Sequence, residues 1–141
     1  MWIKTYEKIF PNTNKNKVWQ IMTDINNWPS WHAELQYCRL EGYFMIGGHF
    51  FLKPKGMGPV KITITDIQEG SSFTDCTHFF GAHMFDTHAL TETSEGVKIT
   101  NTLRVTGPLA WLWIALVAKK VAQSIPKKTE ALVRLAQEYH E

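Results

Sequence analysis

The sequence predicts an α+β fold in which a curved antiparallel sheet packs against one long C-terminal helix. Six strand-like segments follow one another between residues 35 and 106, and glycine-containing turns separate many of them. These turns are too short for parallel crossovers. A further strand-like segment opens the chain at residues 2–10, and residues 108–139 carry one long helical pattern. A run of strands followed by a helix is typical of α+β architectures.

The segment before the main run of strands predicts two short helices. Residues 2–10 alternate imperfectly and are rich in β-branched and aromatic side chains, which favours a strand. Thr13 is a candidate N-cap for a helix over residues 14–24, where apolar residues recur at helical spacing. Pro29 suits the first position of a second short helical turn.

The remaining elements follow the same logic of periodicity and turn residues. The candidate strands are residues 35–43, 48–54, 59–68, 72–79, 83–93 and 96–106. In the helix over 108–139, Pro108 fits the first turn, whereas Pro126 lies inside and predicts a kink or a split into two helices. The predicted order is therefore β-α-α-β-β-β-β-β-β-α, with about seven strands in the sheet.

Length and composition predict one domain spanning residues 1–141 and exclude several classes of protein. The net charge of +2 is too small to indicate a nucleic-acid partner. The uncharged run over residues 108–118 is only 11 residues long, whereas a spanning helix needs about 20. That run therefore predicts no integral membrane insertion. The N-terminus has no signal-peptide pattern, so we expect a cytoplasmic location. We expect a monomer or a homodimer.

The histidines and the known motifs predict neither a metal nor a cofactor. His78, His83 and His88 recur every five residues, which alternates faces on a strand, and no HExxH motif is present. The sequence also lacks a Walker loop, a GxGxxG motif and a GxSxG nucleophile elbow. We therefore expect no metal site, no cofactor and no nucleophilic hydrolysis.

Three sequence pieces carry a resemblance to a known superfamily. They are Val18-Trp19 followed by Asp24-Ile25-Asn26-Asn27-Trp28-Pro29-Ser30-Trp31-His32, then Leu90-Thr91-Glu92 with Gly96-Val97-Lys98-Ile99, and finally Thr106-Gly107-Pro108-Leu109 with Ile125-Pro126. With the element order, they resemble the START-like, helix-grip (SRPBCC) superfamily and its polyketide cyclase/dehydrase-like branch. The resemblance runs from Trp2 to Tyr139 and implies a ligand cavity between sheet and helix. It does not settle the function, because the superfamily includes lipid carriers, hormone receptors and aromatase/cyclases.

Strand parity selects the candidate polar residues of that cavity. On residues 96–106, Asn101 shares a face with the apolar residues, and on residues 83–93 the face of Leu90 also carries Met84, Asp86 and His88. A slip of one residue or a bulge would instead expose them to water. Facing inward, Asp86, His88 and Asn101 could form a satisfied polar cluster in the core or anchor a ligand. If the protein is an enzyme, His88 and Asp86 are the catalytic candidates.

The other candidate ligand-binding residues are mostly apolar. Trp28, Trp31 and His32 lie on the helical corner that caps the cavity mouth in the resembling fold, where core packing and lining of the entrance overlap. The expected lining also includes Phe50, Ile62, Ile64 and Trp113.

Three hypotheses of function follow from these residues. We favour a carrier or binding protein for a small, mostly apolar ligand such as a lipid or a polyketide-like molecule. The alternative is a polyketide cyclase/dehydratase-type enzyme, in which positioning of a reactive chain in the same cavity supplies most of the catalysis. The third is an interaction protein with a vestigial cavity.

Overall fold

The structure, a computed structural model, describes residues 1–138 and contains one seven-stranded antiparallel sheet. The order of strands across the sheet is β1-β7-β6-β5-β4-β3-β2. The strands are β1 (Trp2–Phe10), β2 (Leu35–Glu41), β3 (His49–Pro54), β4 (Val60–Gln68), β5 (Ser72–Phe79), β6 (Ala82–Thr93) and β7 (Gly96–Thr106). Each strand from β2 to β7 pairs with its sequence neighbour, so short hairpins build most of the sheet, and β1 closes onto β7.

The helices lie between β1 and β2 and after β7. Helix α1 (Lys15–Met22) is followed by a 3-10 helix over Ile25–Ser30. The C-terminal helix comprises α2 (Ala110–Trp113), a π-helical segment (Ile114–Ala118) and α3 (Lys119–Glu138). The predicted fold class and order of elements are thus confirmed. The last residue of the predicted helix, Tyr139, lies outside the described residues.

Two local predictions about the helices are wrong, and a third is narrowed. Asn14, not Thr13, caps α1, because its Oδ1 accepts a hydrogen bond from the backbone N–H of Lys17 at 3.0 Å. Pro29 is the fifth residue of the 3-10 helix and not the first. Helix α3 continues through Pro126 without being split. The irregular part of the C-terminal helix is the π-helical segment, which ends about two turns before Pro126. The predicted bend at Pro126 stays a prediction.

The inner face of the sheet carries a polar band between two apolar clusters. The larger cluster includes Phe73, Leu90 and Ile99, together with side chains of α1 and the second half of α3. The smaller cluster includes Met84 and Leu103, packed against the first half of the C-terminal helix. Between them, buried polar side chains occupy the middle of three adjacent strands: Asp75 and Thr77 on β5, Asp86 and His88 on β6, and Asn101 on β7.

A close backbone contact fixes the start of the C-terminal helix. Gly107 has φ +112°, and a Cβ atom there would lie 2.6 Å from the backbone oxygen of Gly81. The backbone N–H of Leu109 donates to the same oxygen at 2.9 Å. Only glycine tolerates both this φ and this approach, so the helix begins directly against the β5–β6 turn. No helix within the described residues is both long enough and apolar enough to cross a membrane.

Candidate functional site

A cavity of about 360 Å³ lies between the inner face of the sheet and the C-terminal helix. This volume falls within the usual range for small-molecule sites, about 300–1,000 Å³. Most of its lining is apolar, and the apolar residues come from the 3-10 corner, the sheet and the helix: Met22, Trp28, Trp31, Leu35, Leu52, Pro54, Met57, Val60, Ile62, Phe79, Met84, Ile99, Leu116, Val117, Val121 and Leu132. The polar lining residues are His32, Glu34, Asp75, Thr77, Asp86, His88, Asn101, Lys120, Ser124, Lys128 and Thr129.

Eight of the eleven predicted ligand-binding residues lie on this cavity. They are Trp28, Trp31, His32, Ile62, Met84, Asp86, His88 and Asn101. The strand parity that selected the four of them on β6 and β7 holds because β6 pairs with both neighbours in regular register. The bulges of the sheet lie elsewhere, in the β2–β3 and β4–β5 pairs. Whether these residues bind a ligand remains a prediction.

The other three predicted residues do not line the cavity. Phe50 and Ile64 are fully buried in the larger core cluster, and Phe50 packs edge-on against the ring of Trp28 at 5.3 Å between centroids. Trp113 stacks on Phe79 at 4.5 Å, and its Nε1 donates to the backbone oxygen of Phe80 at 2.8 Å. Trp113 therefore faces the β5–β6 turn, and Leu116 and Val117 of the π-helical segment reach the cavity instead.

The polar band contains two carboxylates that face each other directly. Asp75 on β5 and Asp86 on β6 are register partners, and His88 on β6 is the register partner of Asn101 on β7. Like charges directly opposite each other on a sheet are destabilising. His88 compensates, because its Nε2 lies 3.1 Å from Asp75 Oδ2 and 3.6 Å from Asp86 Oδ1. The amide Nδ2 of Asn101 donates to Asp86 Oδ1.

Asp75 is the residue that sequence reasoning missed. From the sequence, Asp86 is the acidic candidate beside His88, but the carboxylate closer to His88 belongs to Asp75. The signal was available in strand β5, where Phe73 is a large apolar residue and Asp75 shares its face by the two-residue period. The pairing itself could not be found without the register, which sets Phe73 opposite His88 and so brings Asp75 diagonally beside the imidazole.

Burial and the contact between Asp75 and His88 shift the pKa of each residue in opposite directions. Burial raises the pKa of Asp75 to about 6, although the hydrogen bond from His88 works to lower that pKa. Burial by itself would lower the pKa of His88, but the charge of Asp86 and the bond to Asp75 outweigh it, so the pKa of His88 is raised. The two carboxylates therefore favour the protonated form of His88.

A second histidine at the cavity is held neutral. Burial, together with the nearby charge of Lys128, lowers the pKa of His32 to about 4. The Nζ of Lys128 lies 3.4 Å from Nε2 of His32, where the ammonium donates and the neutral ring accepts. This pair joins the helix wall of the cavity to the 3-10 corner, and it adds a positive charge opposite the two carboxylates.

One buried donor on the cavity lining has no hydrogen-bond partner among residues 1–138. Within the described residues, the indole Nε1 of Trp31 is the one buried side-chain polar atom without a hydrogen bond. The neighbouring Trp28 differs, because its Nε1 donates to the backbone oxygen of Met22 at 2.9 Å. A buried donor without a partner is costly and uncommon in folded proteins.

The same cluster brings together three side chains of types that bind metal ions. Within residues 1–138, Asp75, Asp86 and His88 offer donor atoms that all lie within 4.8 Å of one another, and all three side chains are buried. One histidine with two carboxylates is a donor set that divalent transition metals accept. One oxygen of each carboxylate already accepts a hydrogen bond, Asp75 Oδ2 from His88 and Asp86 Oδ1 from Asn101.

The seven-stranded sheet, the long C-terminal helix and the cavity between them define a protein of the START-like, helix-grip class. Residues 3–138 match the family described as polyketide cyclase / dehydrase and lipid transport. The chain belongs to this family.

Solved structures support the fold at low sequence identity. A hypothetical protein from Helicobacter pylori has a TM-score of 0.75 at 13% identity, with 96% of this chain and 88% of that chain covered. A START superfamily protein from Mycobacterium smegmatis has a TM-score of 0.69 at 14% identity, with 95% and 97% covered. The di-domain ARO/CYC StfQ from the steffimycin biosynthetic pathway has a TM-score of 0.70 at 13% identity, with 97% of this chain and 50% of StfQ covered. The comparison with curated protein sequences gives no significant match.

Proposed function

We propose that this protein binds one small, mostly apolar molecule in the cavity between its sheet and its C-terminal helix. The observation that carries the proposal is the buried polar band of Asp75, Asp86, His88 and Asn101 on a wall that is mostly apolar. A few convergent polar groups in an apolar pocket are typical of ligand sites, where they fix the orientation of the bound molecule. A packed core gains nothing from two buried carboxylates facing each other, because their desolvation is costly.

The lining indicates what the ligand is like. Its body is apolar, because tryptophan, methionine and aliphatic side chains form most of the wall. It carries at least one hydrogen-bonding group that meets the polar band. The unpaired indole N–H of Trp31 favours an acceptor oxygen elsewhere in the ligand, because such an oxygen would remove the cost of an unsatisfied donor after a small movement of the ring.

Displacement of a fluorescent fatty-acid analogue tests the proposal with two neighbouring substitutions. Ser124 lines the cavity, and Gln123 beside it is exposed on the same helix. We expect Ser124→Trp to fill the cavity and weaken probe binding by about tenfold or more, a difference of about 1.4 kcal/mol. Gln123→Trp adds the same side chain outside and leaves binding unchanged. Equal binding by both variants and the unchanged protein would contradict the proposal.

A second candidate function is catalysis on a ligand held in the same cavity. The specific observation that favours it is the environment of His88, since two carboxylates within 3.6 Å of its Nε2 favour the protonated ring. A protonated imidazole can donate a proton to a departing hydroxyl group while a carboxylate of the cluster accepts the proton from the adjacent carbon, so that water leaves and a carbon–carbon double bond forms. Incubation with a β-hydroxy ketone and mass spectrometry would detect a product lighter by one water. Turnover that His88→Gln abolishes, with probe binding retained, would favour the enzyme over the carrier.

A further inference from the structure

The two ends of the sheet differ sharply in charge. Because the strands are antiparallel, the β3–β4 turn, the β5–β6 turn and the start of the C-terminal helix lie at one end, and the β2–β3, β4–β5 and β6–β7 turns lie at the other. We call the first the basic end. Its segments 53–61 and 106–120 contain five lysines and no aspartate or glutamate. The turns of the opposite end contain Glu41, Glu69, Glu92 and Glu95 or lie beside them, and Lys15 and Lys17 of α1 lie at that end too.

The basic end also exposes large apolar side chains. Phe80 in the β5–β6 turn is 83% exposed, and Trp111 on α2 is 68% exposed. These two segments lie side by side, because Trp113 donates to the backbone oxygen of Phe80. Met57 in the β3–β4 turn and Leu116 in the π-helical segment are exposed as well, and both also line the cavity. They therefore mark its mouth, and the mouth opens at the basic end.

Apolar and basic groups are ordered along the exposed side of the helix. Trp111 and Leu116 come first, and the exposed Lys119 and Lys120 follow within the next turn. Lys55 and Lys61 flank the β3–β4 turn in the same way. Glu34 is an acidic residue at this mouth, and its backbone oxygen accepts a hydrogen bond from the N–H of Lys55. The lysines around the mouth outnumber this one carboxylate. Aromatic and aliphatic tips backed by lysines fit the boundary between acyl chains and anionic headgroups.

We propose that the basic end docks on the surface of an anionic lipid bilayer, with Phe80, Trp111, Met57 and Leu116 entering the headgroup boundary. Charge complementarity and the exposed apolar tips together favour a bilayer, because a soluble polyanion would use the lysines but leave the apolar tips in water. Docking in this orientation places the cavity mouth against the membrane. A mostly apolar ligand then passes between bilayer and cavity without crossing water.

The experiment is sedimentation with vesicles of phosphatidylcholine alone or mixed with phosphatidylglycerol. We expect binding to the anionic vesicles only, and loss of that binding at high salt, because salt screens surface charge. Lys55→Glu combined with Lys119→Glu should weaken vesicle binding by about tenfold or more, since each lysine near an anionic surface contributes to attraction. The matched control is Lys15→Glu with Lys17→Glu, an equal change of charge at the opposite end, which should bind like the unchanged protein.

A second pair of variants tests the apolar tips. Phe80→Ser with Trp111→Ser should weaken binding to anionic vesicles but leave binding to soluble polyglutamate unchanged. Tyr43→Ser with Ile46→Ser, which removes exposed apolar side chains at the opposite end, is the control and should bind vesicles normally. The proposal is overturned if anionic vesicles are not bound, if both lysine pairs matter equally, or if Phe80 and Trp111 do not matter. None of these assays needs a ligand in the cavity, so their failure leaves the proposed ligand binding untouched.

Discussion

The Nε2 atom of His88 lies 3.1 Å from the Oδ2 atom of Asp75 on the neighbouring strand, although both side chains are buried. A buried carboxylate next to a second carboxylate is tolerated only when a cation or a donor compensates for it. His88 has this role for Asp75 and, at 3.6 Å, for Asp86. The ring also stacks on Phe73 at 4.5 Å, which fixes its plane. His88 is thus both a cavity residue and a structural partner.

The first prediction concerns this pair. Asp75→Asn should lower the pKa of His88, because it removes a negative charge and leaves only Asp86 to favour the protonated ring. An NMR titration of the His88 ring protons measures the change. Asp66→Asn, which removes a carboxylate that has no contact with His88, is the control and should leave the titration unchanged. A pKa of His88 that stays the same in Asp75→Asn would show that Asp75 does not act on the ring.

The second prediction concerns stability against pH. The pKa of His88 is raised above its ordinary value of 6.5, so its contribution to the free energy of unfolding is full below pH 6.5. It is lost as the pH rises through the folded-state value. The contribution of His88 should therefore fall from pH 6 to pH 9. His32, whose pKa is lowered to about 4, contributes with the opposite sign as the pH rises through 6.5, so urea denaturation measures the part due to His88 by comparison with a variant that lacks it.

The control for this pH dependence removes both titrating partners. In the double variant His88→Gln, Asp75→Asn, the fall in the free energy of unfolding between pH 6 and pH 9 should be smaller. The double variant avoids a second effect, because His88→Gln alone would leave Asp75 facing Asp86 without a cation and change the titration of that carboxylate. If the free energy of unfolding changed equally with pH in the unchanged protein and in the double variant, the pH dependence would come from other groups.

The third prediction compares the two buried tryptophans of the 3-10 corner. Trp28→Phe and Trp31→Phe remove the same volume, but only Trp28 loses a hydrogen bond, the one to Met22. Trp28→Phe should therefore cost about 1 kcal/mol more of the free energy of unfolding than Trp31→Phe. Thermal or urea denaturation of both variants measures the difference. Equal costs would indicate that the indole N–H of Trp31 is paired in solution.

The fourth prediction concerns the glycine at the start of the C-terminal helix. Gly107 and Gly70 both have positive φ, but a Cβ on Gly70 would meet no atom within 4 Å, whereas one on Gly107 would clash with Gly81. Gly70→Ala should cost about 1–2 kcal/mol for the left-handed backbone alone. Gly107→Ala should cost about 1–3 kcal/mol more, because the clash forces the β5–β6 turn and the helix apart. Denaturation midpoints that match in the two variants would contradict this.

The sequence by itself determined the order of the elements and the inward face of β6 and β7. Alternation with a period of two marks an inner face wherever a strand has no bulge, and β6 pairs regularly on both sides. Asp86, His88 and Asn101 could therefore be placed on the cavity wall. Glycine-containing turns at many of the strand ends fixed the antiparallel hairpins in the same local way.

Only the tertiary structure decided which of these residues meet. The diagonal contact of Asp75 with His88 depends on the register between two strands, and residues 13 positions apart in sequence carry no local signal of it. Phe50, Ile64 and Trp113 share the character of cavity residues, yet neighbouring aromatic rings or the enclosing core cover them. Three-dimensional packing decides whether an inward side chain borders the cavity or another side chain. The periodicity of the sequence predicts only that the side chain faces inward.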